Sequence, residues 1–314
     1  MVKSIKLEGV HHVTAITADA QANVDFYAGV LGLRLVKKSI NQDNPSVYHL
    51  FYADEEGHPG SDITFFEYPG IPRGRAGDGM IHRVVWRVAS PDALDFWLNR
   101  LAERGFGTRG IDGRDALRFD DPEGLEHELL VAEVEDEPLI AEHPEVPSEL
   151  ALQGFDGVRA YASRPDRSRG LLEGTLGFSA HDGLLWEARG DRRGGTYAYD
   201  EPPAQPGRQA AGTVHHVAWA SPPEEHEEWR ERVATAGMAP TPVIDRFYFR
   251  SVYFREPSGV LFEIATIGPG FTVDEPAESL GEKISLPPFL EHLRDQVEPQ
   301  LTPLVNPRAA ARAG

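Results

Sequence analysis

The chain has 314 residues, 40% hydrophobic and 26% charged, which fits a globular protein of about two domains. A net charge of −19 repels polyphosphates and argues against a nucleic-acid or anionic-membrane partner. The absence of cysteine excludes disulfides, thiolate catalysis, iron–sulfur clusters and cysteine–zinc sites, and leaves His, Asp and Glu to hold any metal.

Residues 9–17, opening Gly9-Val10-His11-His12-Val13, are β-branched and apolar and read as a strand. Thr17 to Asp19 caps a helix over about 20–31, with Val24, Phe26, Tyr27, Val30 and Leu31 as its apolar stripe and Gly32 as its stop. Strands at about 33–40, 46–53 and 62–68 follow, divided by turn-forming residues. The pattern restarts at Met80, with a helix capped at Ser90 and closed by Gly105, then strands at about 115–119 and 125–132. A third round begins near Gly157, with a helix around 165–174 and a hairpin near 189–199. The fourth opens Gly212-Thr-Val-His215-His216-Val, continues in a helix over about 222–236, and closes on a hairpin at Glu256-Pro-Ser-Gly259. Four copies of one βαβββ unit are the main organisational signal. They divide into pairs at 1–140 and 155–275, joined by a Glu- and Pro-rich connection. In the extension 276–314, the run from Leu286 to Arg294 reads as a Pro-started amphipathic helix and 308–314 as a frayed end. No apolar run approaches the roughly 20 residues of a membrane span, and no apolar signal region opens the chain, so the expected location is the cytoplasm.

Successive side chains of a strand face opposite sides, so one histidine of each His-His pair can face a common interior; spacing alone does not choose between His11 and His12. Imidazole is a common metal ligand, and two such strands offer two ligands to one ion. If Pro257–Gly259 is a three-residue loop with Gly259 at positive φ, Glu256 pairs with Val260 and Tyr253 stands opposite Glu263. A carboxylate in the run Val-Leu-Phe-Glu-Ile is costly unless paired or metal-bound. The same count in the second unit pairs Glu128 with Arg118, a neutralised carboxylate. With only His82 at a comparable place in unit two, and Arg159 where a histidine would stand in unit three, that second site reads as inactive. The live site then combines units one and four. His58, His127, His143, His181, His226 and His292 read as solvated, and Glu67 is the one candidate for an extra carboxylate ligand.

The four units, their His-His-Val openings and their Asp/Glu-Pro-x-Gly-x-x-x-Glu endings resemble the vicinal oxygen chelate superfamily of glyoxalases, extradiol dioxygenases and bleomycin-resistance proteins. With Arg34-Leu-Val-Lys-Lys38 and Leu286-Pro-Pro-Phe-Leu290, the chain to about 305 is similar to its hydroquinone ring-cleaving dioxygenase branch. The resemblance implies an α+β fold in which four βαβββ modules form two open mixed β-barrels with a C-terminal helical tail. It implies Fe(II) held by His12, His216 and Glu263, a 2-His-1-carboxylate facial triad, with Mn, Zn or Ni as alternative occupants. Catalytic roles carry over to Tyr253, His215, His11 and Arg246, and a substrate-binding role to Thr14. Thr14 shares a strand face with His12, whereas His11 and His215 do not share their neighbours' faces by strict alternation. The expected partners are a small aromatic diol and O₂, with self-association left open. A catechol extradiol dioxygenase, a glyoxalase-like metal-dependent isomerase or lyase and a non-catalytic bleomycin-resistance-like binding protein are the alternatives.

Overall fold

A computed structural model describes residues 5–110 and 115–308; of the end expected to fray at 308–314, residues 309–314 lie outside them, and Arg308 is instead buried and ion-paired with Glu55. Unit one comprises β1 (Val10–Thr17), β2 (Arg34–Asn41), β3 (Asn44–Ala53) and β4 (Asp62–Glu67). Unit two has β5 (Ile81–Val88), β6 (Thr108–Gly110), β7 (Ala116–Asp120) and β8 (Glu126–Val131). Unit three has β9 (Phe155–Tyr161), β10 (Ser179–Ala180), β11 (Leu185–Arg189) and β12 (Gly194–Asp200). Unit four has β13 (Thr213–Ser221), β14 (Ile244–Asp245), β15 (Arg250–Arg255) and β16 (Leu261–Thr266). The short edge strands β6, β10 and β14 were not expected, because two or three residues carry no periodicity.

Two eight-stranded mixed sheets result, in the orders β14-β15-β16-β13-β1-β4-β3-β2 and β10-β11-β12-β9-β5-β8-β7-β6. In each, the first strand of a unit runs parallel to its last and antiparallel to the first strand of another unit. Units one and four therefore share one sheet, and units two and three the other. The crossovers include α1 (Ala20–Val24), capped by the Asp19 carboxylate and continuing as a wider π turn over Asp25–Val30. They also include α2 (Pro91–Glu103), capped by Ser90, and α3 (His226–Thr235). Unit three replaces the expected helix at 165–174 with a 3-10 turn, Pro165–Arg167, and a π turn, Gly170–Thr175. All five tryptophans are fully buried. No helix among the described residues is long and apolar enough to cross a membrane.

The tail departs from expectation. Residues 286–290 form no helix; helical structure starts at Glu291 and runs through α4 (Arg294–Val297) to Gln300. Pro287 and Pro288 each bias the residue before them away from the helical region, which delays the start. Upstream, Ile284 pairs with Lys38 and covers the outer edge of β2, with Ser285 N donating to Lys38 O at 2.8 Å.

Two histidines expected to be solvated are fully buried, His127 and His226. His127 lies between Glu126 and Glu128 but faces the other side of β8, so its polar neighbours hid its environment. Trp86 Nε1 donates to His127 Nδ1 at 3.0 Å, and Tyr27 Oη lies 3.0 Å from His127 Nε2 while donating to Asp121 at 3.0 Å.

Candidate metal centre

The centre is built where β1 meets β13. Their register slips twice, between Val10↔Trp219 and His12↔Ala218, and between Thr14↔His216 and Ala15↔Val214. The residues skipped are His11 and His215. A bulge sets two residues of one strand against one of its partner and re-aims a side chain. This is how two histidines that regular alternation would turn away come to lie against the rings of His12 and His216.

His12, His216 and Glu263 are buried, and among the described residues they are the one group of three His, Asp or Glu able to share a metal ion. His12 Nε2 lies 3.2 Å from His216 Nε2 and 3.2 Å from Glu263 Oε2, and His216 Nε2 lies 2.9 Å from the same oxygen. Adjacent ligands of an octahedral ion with bonds of about 2.1 Å stand about 3.0 Å apart, and those of a tetrahedral ion about 3.4 Å. At 2.9 to 3.2 Å the three atoms lie within the range that ligands of one divalent ion span. Apart from the two imidazole nitrogens, neither oxygen of Glu263 has a hydrogen-bonding partner, which would be costly for a buried carboxylate without a cation. The donor set fits a divalent metal. Burial pushes the Glu263 carboxyl up, yet His12 and His216 hold it well below the usual carboxylate range. Burial lowers His216, whereas for His12 the carboxylates of Glu263 and Asp62 outweigh burial and raise it.

The outer nitrogens are also engaged. His12 Nδ1 lies 2.9 Å from His11 Nδ1, whose other nitrogen is 3.2 Å from Thr266 O, and His216 Nδ1 lies 2.7 Å from His215 Nδ1. If each ligand donates its Nδ1–H to the preceding histidine, its Nε2 lone pair is free for the metal, and His11 can donate its own Nε2–H to the Thr266 carbonyl. Burial pushes both His11 and His215 down to about 3, consistent with neutral acceptors. Neither lines the cavity beside the centre; His215 lines a separate recess with Arg255 and Gln209. We expect His11→Ala to weaken metal affinity about 10- to 100-fold, read by chelator competition, with His11→Gln recovering part of the loss.

The cavity beside the centre has about 410 Å³ of space between atoms, open solvent included, and is lined by His12, His216 and Thr14, with Phe51, Phe66 and Phe249 as apolar walls. Tyr253 stands opposite Glu263 in the β15–β16 ladder, edge-on to His216 at 5.7 Å. Arg246 is on the rim: its guanidinium pairs with Asp43 at 3.0 and 3.2 Å and lies 5.5 Å from the Tyr253 ring. The next residue, Phe247, is the one non-glycine with positive φ (72°) among the described residues, a strained turn that presents Arg246 and Tyr248 to the cavity. The sequence reading missed His49, which lines the cavity from β3, and Asp62, a buried carboxylate without a hydrogen-bond partner on the strand beside His12. His49 is one histidine in an apolar run, a pattern that ordinarily marks core, and Asp62 opens an expected strand directly after turn-forming residues, where an acidic residue is ordinary.

The glyoxalase/bleomycin resistance protein/dioxygenase superfamily model matches residues 9–129. A protein of Bacillus subtilis (strain 168) named as a ring-cleaving dioxygenase, MhqA, is 39% identical over 316 residues, spanning 96% of this chain and 100% of that protein. The chain belongs to this superfamily. The chlorohydroquinone/hydroquinone 1,2-dioxygenase of Sphingobium indicum is 30% identical, covering 93% of this chain and 95% of its own. A crystal structure of a Bacillus subtilis protein named as a dioxygenase superposes with a TM-score of 0.89 at 39% identity, covering 96% of this chain and 99% of that one.

The superfamily's repeat can be followed through the register. A pseudo-two-fold between units one and four exchanges His12 with His216 and Thr14 with Ala218, as the pairs Thr14↔His216 and His12↔Ala218 require. Glu263 stands beside Ala218 and Thr64 beside Thr14, so Thr64 is the mate of Glu263. The position where a glyoxalase-like isomerase would place a fourth ligand therefore holds a hydroxyl. Glu67 does not take that role: its carboxylate accepts from Ala20 N at 3.0 Å at the start of α1.

In the other sheet the slips fall at His82 and Asp156. Matching them to the superfamily centre puts Arg83 at the place of His216, Gly157 at that of His12, Glu128 at that of Glu263 and Arg118 at that of Tyr253. Arg159 falls at the Thr14 position, not at a histidine as expected; the bulge at Asp156 shifts the count. Arg83 and Arg118 bond Glu128 at 2.9 and 3.0 Å, and a Cβ on Gly157 would lie 2.1 Å from Thr196 Oγ1.

Proposed function

We propose that the protein is a non-haem Fe(II)-dependent dioxygenase that opens the ring of a hydroquinone with O₂. The observation that carries this reading is the facial triad itself. Three buried ligands that converge on one point leave the remaining positions of one ion for a substrate oxygen and O₂. The full-length similarity to a hydroquinone 1,2-dioxygenase supports the substrate class. Bound by His12, His216 and Glu263, Fe(II) would supply Lewis acidity to the substrate hydroxyl and an electronic path between diol and O₂. Both oxygen atoms enter the opened ring, so no outside reductant is needed.

The chain's own residues do the remaining work. His11 and His215 orient the two ligand imidazoles. Phe51, Phe66 and Phe249 hold the aromatic ring and exclude water, and the Arg246–Asp43 pair narrows the entrance. Tyr253, beside His216 and Glu263, offers a hydroxyl to oxygen arriving at the open side. The glyoxalase-like alternative lacks its fourth ligand, a second carboxylate, and a non-catalytic binding protein has no need of the triad.

The test is metal analysis after anaerobic purification, followed by O₂ uptake across hydroquinones, catechols and a hemithioacetal. Iron with O₂ consumed only with hydroquinones is the expected result. Zinc or nickel with isomerisation of the hemithioacetal and no O₂ uptake would reject the reading.

A further inference from the structure

The cavity wall supplied by unit one has polar groups that the triad does not use. Strand β3 turns His49 and Phe51 to the same side as Thr64 and Phe66 of β4. The His49 ring packs 3.9 Å from Phe51 and 4.4 Å from Phe66, centroid to centroid. Its Nε2 lies 2.9 Å from Thr64 Oγ1, which lies 2.9 Å from Thr14 Oγ1. Because Thr64 is the two-fold mate of Glu263, this hydroxyl chain stands on the side of the centre that carries no protein ligand.

Several other polar side chains around the cavity are already engaged. Asn41 Oδ1 accepts from Asp43 N at 2.9 Å, Gln42 Nε2 donates to Arg246 O at 2.9 Å, and Asp43 pairs with Arg246. Tyr253 faces His216 on the unit-four wall. His49 differs: it is half-buried, lines the cavity, and its Nδ1 has no hydrogen-bond partner among the described residues. If its Nε2–H donates to Thr64 and Thr64 donates to Thr14, Nδ1 is left as an acceptor.

We propose that His49 is a specificity-determining residue, whose Nδ1 accepts a hydrogen bond from the hydroxyl of the aromatic diol that lies away from the metal, with Thr64 and Thr14 fixing the tautomer. This rests on the reading of the centre as a diol-binding iron site. A site built to bond a hydroxyl discriminates against an analogue that lacks it, because the buried acceptor is then left unpaired.

The test is anaerobic titration calorimetry of the Fe(II)-loaded protein with hydroquinone and with phenol. Wild type should bind hydroquinone at least about tenfold tighter than phenol. In His49→Phe that ratio should collapse towards one through loss of hydroquinone affinity, with phenol unchanged within about twofold; His49→Gln should recover part of the ratio, since its amide oxygen is an acceptor. Iron content equal to wild type shows that the centre is intact, and if His49→Phe loses iron, His49→Gln and Thr64→Val carry the comparison. An unchanged ratio, or equal weakening of both ligands, overturns the proposal and leaves His49 as packing. Wild-type protein that binds neither ligand fails at the earlier step, the reading of the centre itself, and is recognised before any variant is made.

Discussion

Glu263→Gln should keep the fold and lose the metal. Glutamine matches the glutamate in shape but offers a neutral amide where the metal site needs an anion, so affinity for Fe(II) should fall at least about 100-fold and turnover with it. The metal-free variant should be no less stable than metal-free wild type, because the substitution removes a buried carboxylate whose partners are two imidazole nitrogens. Wild type should gain about 2.7 kcal/mol at a free metal concentration 100 times its Kd, and the variant almost nothing at the same concentration. Thermal melts with and without Fe(II), beside O₂ uptake with hydroquinone, read both effects. Glu128→Gln is the control, since Glu128 occupies the matching place in the other sheet and already bonds Arg83 and Arg118. Iron retention and undiminished O₂ uptake in Glu263→Gln would refute the assignment of the centre.

What the sequence disclosed depended on whether the backbone kept a regular count. From Gly259, at φ 110°, the hairpin ladder runs without interruption, so counting back pairs Tyr253 with Glu263; the same holds from Gly124 for Arg118 and Glu128. Along β1, β5, β9 and β13 the count fails, because each carries an extra residue that regular alternation cannot foresee. His11 and His215 therefore looked misdirected, and Arg159 was set one strand-face step from its true place. Spacing showed that each pair offered a ligand without saying which member; resemblance made that choice. His49 and Asp62 stayed hidden for another reason. Each becomes distinctive only through partners on neighbouring strands, Thr64 and His12, that no local pattern connects to it.

Acid should destabilise this protein as pH falls below 6.5, and His127 should be a principal cause. Burial pushes His127 from the ordinary 6.5 down to about 3, because a proton on Nδ1 would displace the bond from Trp86 in a site without compensating charge. The unfolded chain protonates near 6.5 and the folded one does not. Stability from this group is therefore fully present above pH 6.5 and falls as pH drops towards 3, at about 1.4 kcal/mol per unit, or about 2 kcal/mol by pH 5. Asp121, at the other end of the same chain through Tyr27, acts with the opposite sign: burial raises its carboxyl to about 6, so it adds stability as pH falls below that value. His127→Gln separates the two. Its amide can accept from Trp86 and donate to Tyr27 without titrating, while Asp121 is retained. Urea unfolding of the metal-free proteins should find the variant about 1–2 kcal/mol less stable at pH 7 from imperfect packing. Between pH 7 and 5 it should lose about 2 kcal/mol less than wild type. An identical pH slope in the two would move the acid sensitivity to other buried histidines, among them His226, which burial lowers to about 4.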